Sequence, residues 1–486
     1  MPGAAPGAAP TPTLLTLPRV LTLFLALTLG AILGAILAPA RPAAAETLAD
    51  ALVSAYNNSG LLDQNRALLR AADEDVAQVV ASLRPIINWS AGMTRSFGES
   101  HTRGITTGIL STDASIALTL DLLLYDFGAS QYRLKAAQET VLATRQTLRD
   151  IEQQVLLRAV RAYLNVRRTS ELVAVRQSNL RLLQEELRAT RDRFEVGEVT
   201  RTDVALAEAQ LASANAGLAA ARGDLRQAVE EFRNAVGREP GTLEPPSRLP
   251  NLSPDVAAAK RIALRKHPDI LGAQYRVSAA ELAVLAAEAD VRPKINLSTS
   301  LTASEEVFGP DQSHTGSIGI TMSGPIYQGG RLASLVRKAM AQRDQARAGL
   351  HLAGLQVAQD VGNAYADLLA AQASRQARAE EVRAARVAFE GLREEAKLGA
   401  RTTLDVLDAE QNLLDARAGL IEAETAVYIA AYTVLETIGE LTARDLRLDV
   451  PLYDAGAYYD LVRQAPVPSS PQGRKLDRVL RALGKE

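Results

Sequence analysis

The sequence predicts an α+β membrane protein with an internal structural repeat, in which very long helices carry four strands. Three observations predict it. The first is self-similarity at a fixed offset. Tyr125-Asp126-Phe127-Gly128 answers to Tyr327-Gln328-Gly329-Gly330, Ala162-Tyr163 to Ala364-Tyr365, and Asp203 to Asp405, all 202 residues apart. Upstream, Arg84-Pro85-Ile86-Ile87-Asn88 matches Arg292-Pro293-Lys294-Ile295-Asn296 at 208, so an intervening loop is shorter in the second copy. A repeat this long sets the architecture before any motif does. The second is Ala129 to Val196, a stretch with neither Pro nor Gly. As one helix it spans about 100 Å at ~1.5 Å per residue. The third is period-two alternation in two runs of each copy, the mark of strands with two different faces.

The elements follow in order. Glu46 to Ala81 reads as a helix broken near Asn57-Asn58-Ser59-Gly60 and ended by Pro85. Ile87, Trp89, Ala91 and Met93 alternate with Asn88, Ser90, Gly92 and Thr94; Ile116, Leu118, Leu120 and Leu122 alternate with Ser115, Ala117, Thr119 and Asp121. A polar loop, roughly Arg95 to Asp113, is expected between them. The long helix stops at Gly197, and a partner helix runs from about Thr202 to Val236. Residues 238–253, with four prolines, form a linker between the first repeat (46–237) and the second (254–440). The second repeat brings a helix broken at His267-Pro268, then strands marked by Ile295, Leu297 and Leu301 and by Ile318, Ile320 and Met322. A long helix (Arg331 to Leu398) and a partner (Thr402 to Ile438) follow. The tail, 441–486, is expected to be disordered in part, over 465–475.

Residues 1–45 read as a secretory signal. An apolar run from Val20 to Leu37 follows Arg19, and Ala43-Ala44-Ala45 offers a cleavage site before Glu46. A single membrane anchor is the rival reading of the same run. After residue 45, no apolar run is expected to span a membrane as a helix.

Several classes of chemistry are excluded. A net charge of −2 leaves no electrostatic footprint for nucleic acid. The absence of cysteine removes disulfides, thiolate chemistry and lipidation of an N-terminal Cys. The four histidines are scattered, with His101 and His314 expected in loops. No zinc-protease, phosphate-loop or nucleophile-elbow motif is present. No catalytic residue, metal or cofactor is therefore expected.

The strands decide the environment. Ile87, Trp89, Ile116, Leu118, Leu120, Ile295, Leu297, Ile318 and Ile320 form an apolar set facing lipid, and the Ser/Thr/Asn/Gly set lines water. Four strands cannot close a barrel, and open edges are not tolerated in lipid. Oligomerisation solves both problems: eight strands from a dimer give a filled interior, and twelve from a trimer leave a lumen. The helices carry too many Arg and Glu to cross a membrane, so they project into water. A water-soluble sandwich with the same alternation is the competing architecture. A soluble periplasmic coiled-coil adaptor or scaffold is the competing function.

Two segments carry a family resemblance. Phe194-Glu195-Val196-Gly197-Glu198-Val199-Thr200-Arg201-Thr202-Asp203-Val204 and Leu398-Gly399-Ala400-Arg401-Thr402-Thr403-Leu404-Asp405-Val406-Leu407-Asp408-Ala409-Glu410 resemble the two helix-turn-helix tips of the TolC-like outer-membrane factor family. The resemblance covers about Glu46 to Asp460. It implies a homotrimer: a twelve-stranded barrel in the outer membrane of a Gram-negative bacterium above a twelve-helix periplasmic tunnel. It implies docking to a periplasmic adaptor (membrane fusion) protein and an inner-membrane RND or ABC transporter, with export by efflux or type I secretion. Carried over residue by residue, Asp405 and Asp408 line the closed entrance as a carboxylate ring, whose mutual repulsion would raise their pKa values. Arg401 and Asp203 form the lock that holds it shut, and Val196, Gly197, Glu198, Val199, Leu398, Gly399 and Ala400 are the docking tips. One departure bears on the lock: Ala396 stands where a tyrosine is often found. Read without the resemblance, the two aspartates are equally well early-helix carboxylates favoured by the helix dipole.

Overall fold

The computed structural model describes residues 46–246 and 248–482; the expected signal segment lies outside them. The repeat is visible in element lengths. Helices α1 (Leu48–Asn58), α2 (Gly60–Ala81), α3 (Ala129–Glu195) and α4 (Arg201–Val236) have 11, 22, 67 and 36 residues. Helices α5 (Val256–Lys266), α6 (Pro268–Ala289), α7 (Arg331–Lys397) and α8 (Thr403–Ile438) have the same four lengths. Both short pairs are interrupted where the sequence is punctuated. Ser59 takes an extended conformation and its hydroxyl accepts from Leu62 N. His267 does the same before Pro268, its Nδ1 accepting from Asp269 N at 3.2 Å.

Four strands form one antiparallel sheet in the order β1-β2-β3-β4: β1 Ile86–Thr102, β2 Ile105–Tyr125, β3 Lys294–Glu306 and β4 Gln312–Ser323. The loop expected from Arg95 to Asp113 is instead the upper part of a long hairpin. β1 and β2 stay in unbroken register up to Thr102↔Ile105, turning through Arg103 and Gly104, both at positive φ (52° and 83°). Polarity suggested a loop, but a strand that has left the apolar layer needs no apolar face. His101 and His314, expected in loops, lie on β1 and β4 for the same reason.

The core is a belt where the two repeats meet. Tyr163 is fully buried on α3, its hydroxyl 2.8 Å from the Glu46 carbonyl and 2.6 Å from that of Glu244. Its repeat partner Tyr365 donates to the Ser253 carbonyl at 2.7 Å. Each tyrosine thus pins one end of the linker region to a long helix. The chain after α8 continues the belt, with Leu441 and Ala443 fully buried. The Arg66 guanidinium stacks on both Tyr56 and Tyr453, 5.2 Å from each ring centroid. Short helices α9 (Ala457–Val462) and α10 (Pro471–Ala482) follow. Disorder was expected over 465–475, but α10 occupies the end of that stretch. Helix α8 also carries a window apolar enough to cross a membrane, with mean hydropathy 1.3, against the expectation for the mature chain. Its apolar residues have another use: Val427, Ala431, Val434 and Ile438 fill the core against α5 and α7.

Candidate functional site

Two surfaces expose the residues singled out in the sequence, the strand sheet and the two helix tips. At the sheet, directly paired residues share a face. Ile87 pairs with Leu120, Leu120 with Thr299, and Thr299 with Ile318. The next rows are Trp89-Leu118-Leu301-Gly316 and Leu122-Leu297-Ile320. Ile295 pairs with Met322 past a register shift at Leu123/Tyr125, and Ile116 opposes Ala91 and Ala303. All nine residues assigned to lipid by alternation therefore fall on one face. None is buried: Trp89 is 75% and Ile318 76% exposed, Ile87, Ile116, Leu118 and Ile320 are also exposed, and Leu120, Ile295 and Leu297 on the central strands are half-buried. The other face is polar, with Asn88-Thr119-Ser300-Ser317 as one row and the Ser300 and Ser317 hydroxyls 2.8 Å apart. β1 and β4 are free edges of this sheet.

The two tips lie at the far end of α3 and α7 and are built alike. Gly197 and Gly399 sit at φ 82° and 76°, a conformation only glycine adopts without strain. Gly197 N donates to the Phe194 carbonyl and Glu198 N to Arg193; Gly399 N donates to Ala396 and Ala400 N to Glu395. These bonds close the last turn of each long helix. Thr200 and Thr402 then start the partner helices as full capping boxes with Asp203 and Asp405. Val196 (72% exposed) and Leu398 (85% exposed) stand apolar and bare at the tips, flanked by exposed Glu198 and Ala400 and half-buried Val199.

The structure redistributes the expected roles of the charged residues. Asp405 Oδ2 accepts from Thr402 N at 3.0 Å and Oγ1 at 2.9 Å. These donors hold its carboxyl below the ordinary range. Within the protomer the shift is therefore opposite to the one mutual repulsion would give. Asp203 is held down in the same way by Thr200. Arg401 pairs with Glu395 of its own hairpin at 2.8 Å, not with Asp203. Asp408 is exposed one turn beyond Asp405.

The family model for outer membrane efflux proteins matches residues 51–238 and 261–440. The chain belongs to this family. Among relatives, the outer membrane efflux protein BepC of Brucella suis is 37% identical over 423 residues, 87% of this chain and 91% of BepC. The outer membrane protein TolC of Escherichia coli is 27% identical over 419 residues, 83% of this chain and 84% of TolC. Among solved structures, the CmeC outer membrane channel of Campylobacter jejuni superposes with a TM-score of 0.72 at 17% identity, over 86% of this chain and 89% of that one. The protein is an outer-membrane exit duct, and its family is one of channels.

One residue near the tip escaped the sequence reading. Glu410 on α8 is 5% exposed and accepts from Asn179 Nδ2 of α3 at 2.6 Å. Burial pushes its carboxyl up to about 7. The available signal was its place in the apolar stripe Val406-Leu407-Glu410-Leu413-Leu414, where a carboxylate must be neutralised or paired.

Proposed function

We propose that three copies close their sheets into a twelve-stranded barrel and their helices into a tunnel. This assembly is a passive conduit opened at its tips by a periplasmic adaptor and an inner-membrane RND or ABC transporter. The observation that carries it is the four-stranded sheet with one apolar face and two free edges. Such a sheet is stable in lipid only if β4 of one copy pairs with β1 of the next. A dimer would bring eight strands, whose interior side chains would fill. The efflux and channel names of the relatives support transport rather than a soluble scaffold. The cargo is drugs, small toxic molecules or secreted polypeptides.

At the entrance, Asp405 and Asp408 from three copies form a ring that favours cations. Arg401, beside it, and Asp203, at the equivalent place on the neighbouring hairpin, hold the tips together. In the single protomer both make local bonds: Arg401 exchanges its exposed ion pair with Glu395, a small cost, while Asp203 keeps the cap bonds that Thr200 donates to its Oδ2. The apolar tip residues Val196, Val199 and Leu398, with Gly197, Glu198, Gly399 and Ala400, receive the adaptor.

The test is the mass of the detergent-purified protein together with its conductance in a planar bilayer. A trimer forming a small, cation-preferring pore is the expected result. A monomer that stays in solution without detergent and forms no pore overturns the proposal.

A further inference from the structure

Helix α10 has an amphipathic character that the duct reading leaves unused. Leu476, Val479 and Leu480 lie at i, i+3 and i+4 on one face. Arg474, Arg478 and Arg481 occupy the opposite face, with Lys475 at the border and Asp477 the single acid. The helix packs against α9. Its apolar face is only partly covered, with Val479 37% exposed and Leu476 and Leu480 half-buried.

Its position identifies what covers that face. The tail climbs the molecule toward the sheet. Tyr453 stacks on Arg66, the Tyr458 hydroxyl donates to Glu74 at 2.7 Å, and Arg84 donates to the carbonyls of Ala465 (2.8 Å) and Gln464. Arg84 lies two residues before Ile86, where β1 begins. Gln464-Ala465 is thus clamped at the base of the sheet. The six residues to Pro471 reach at most about 20 Å further. A basic amphipathic helix within that distance of the sheet base is in reach of the surface of the membrane the sheet enters.

We infer that α10 is an interfacial anchor that lies on the periplasm-facing leaflet. Its leucine and valine face enters the acyl boundary, and its arginines and lysine bind anionic phospholipid headgroups. It fixes the depth of the barrel and the tilt of the rod. This rests on the sheet spanning the outer membrane, and the test separates the two claims.

The chain has no cysteine, so a single fluorophore can be placed at will. The full-length channel is reconstituted into phosphatidylcholine vesicles carrying quencher lipids, with or without phosphatidylglycerol. The label is placed at Val479→Cys, at Ile318→Cys on the apolar sheet face, or at the exposed Arg386→Cys near the tip end of α7. The expected result is strong quenching at 318, background quenching at 386, and quenching at 479 several-fold above that background that grows with phosphatidylglycerol. Arg474→Gln with Arg478→Gln and Arg481→Gln should remove that growth. A label at 479 that behaves like the one at 386 while 318 is quenched overturns the anchor alone. Absence of quenching at 318 overturns the membrane-spanning sheet, and the anchor with it.

Discussion

The two long helices have the same length, the same capping at both ends and corresponding tyrosines, yet they live in different surroundings. Helix α3 packs against α1, α2, α4, α6 and α8 and has twenty buried positions. Helix α7 packs against α5, α6 and α8 and has seven. The difference is one of place within the protomer: α3 sits where the two repeats meet, and α7 sits at the outer flank. Leu352, Leu355, Leu369 and Val387 form a bare stripe within about 100° of the α7 surface. The sheet repeats this asymmetry. β2 is paired on both edges, by β1 and β3, while its repeat counterpart β4 is paired only by β3, its other edge having no partner among the described residues. Near-identical halves therefore indicate what the bare half is missing, namely the next copy's first half.

That comparison can be broken most decisively at the β4 edge. Carrying the β2–β3 register through the offsets of 202 and 208 turns the pair Leu118↔Leu301 into Ile320 of one copy opposite Met93 of the next. Ile320→Cys with Met93→Cys should cross-link nearly all chains into a three-rung ladder on a denaturing gel. Shifting one cysteine to Trp89 should abolish most of it. Leu355→Glu with Leu369→Glu should prevent assembly, read as mass in detergent, because two leucines at a seam are worth about 3–6 kcal/mol.

A smaller effect separates the two tips. Asp405→Ala with Asp408→Ala should relieve cation block from the periplasmic side roughly tenfold and change conductance. Asp203→Ala should leave cation block unaltered while loosening closure. Equal effects of both changes on block would mean that no ring exists.

Glu410 gives a pH test inside the second tip. Its folded-state pKa, about 7, lies above the ordinary glutamate value. The folded state therefore holds the proton more tightly, and stability falls as pH rises from the glutamate range to about 7. Glu410→Gln keeps the bond from Asn179 and should stabilise the protein by about 1–2 kcal/mol at pH 8, with little change at pH 5, in thermal melts. The smallest effect is expected at the caps. Thr200→Ala and Thr402→Ala should each cost about 1 kcal/mol near neutral pH. The aspartates they hold are shifted down, so the cap contribution is present above the ordinary carboxylate pKa and fades as pH falls through the folded value. A protection that persists in strong acid would show that the hydroxyls, not the carboxylates, carry the caps.

The repeat, the lengths of the helices, both breaks in the short helices, both tip turns and the two-faced strands are all legible in the amino-acid order alone. All of these depend on local signals: Gly at positive φ, Thr-x-x-Asp caps, Pro at a helix start and period-two alternation. The same signals made Ile87, Trp89, Ile318 and their companions legible as one face. Tertiary structure decided the rest. Polarity alone could not show that the upper hairpin remains paired, since a strand in water is held by its partner's hydrogen bonds and not by its side chains. Composition could not show that α8 is apolar because it is a core helix. Nor could motif position show that Arg401 bonds Glu395 and that Glu410 is buried against Asn179. Those facts depend on which helix comes to lie beside which, and spacing along one helix is blind to that.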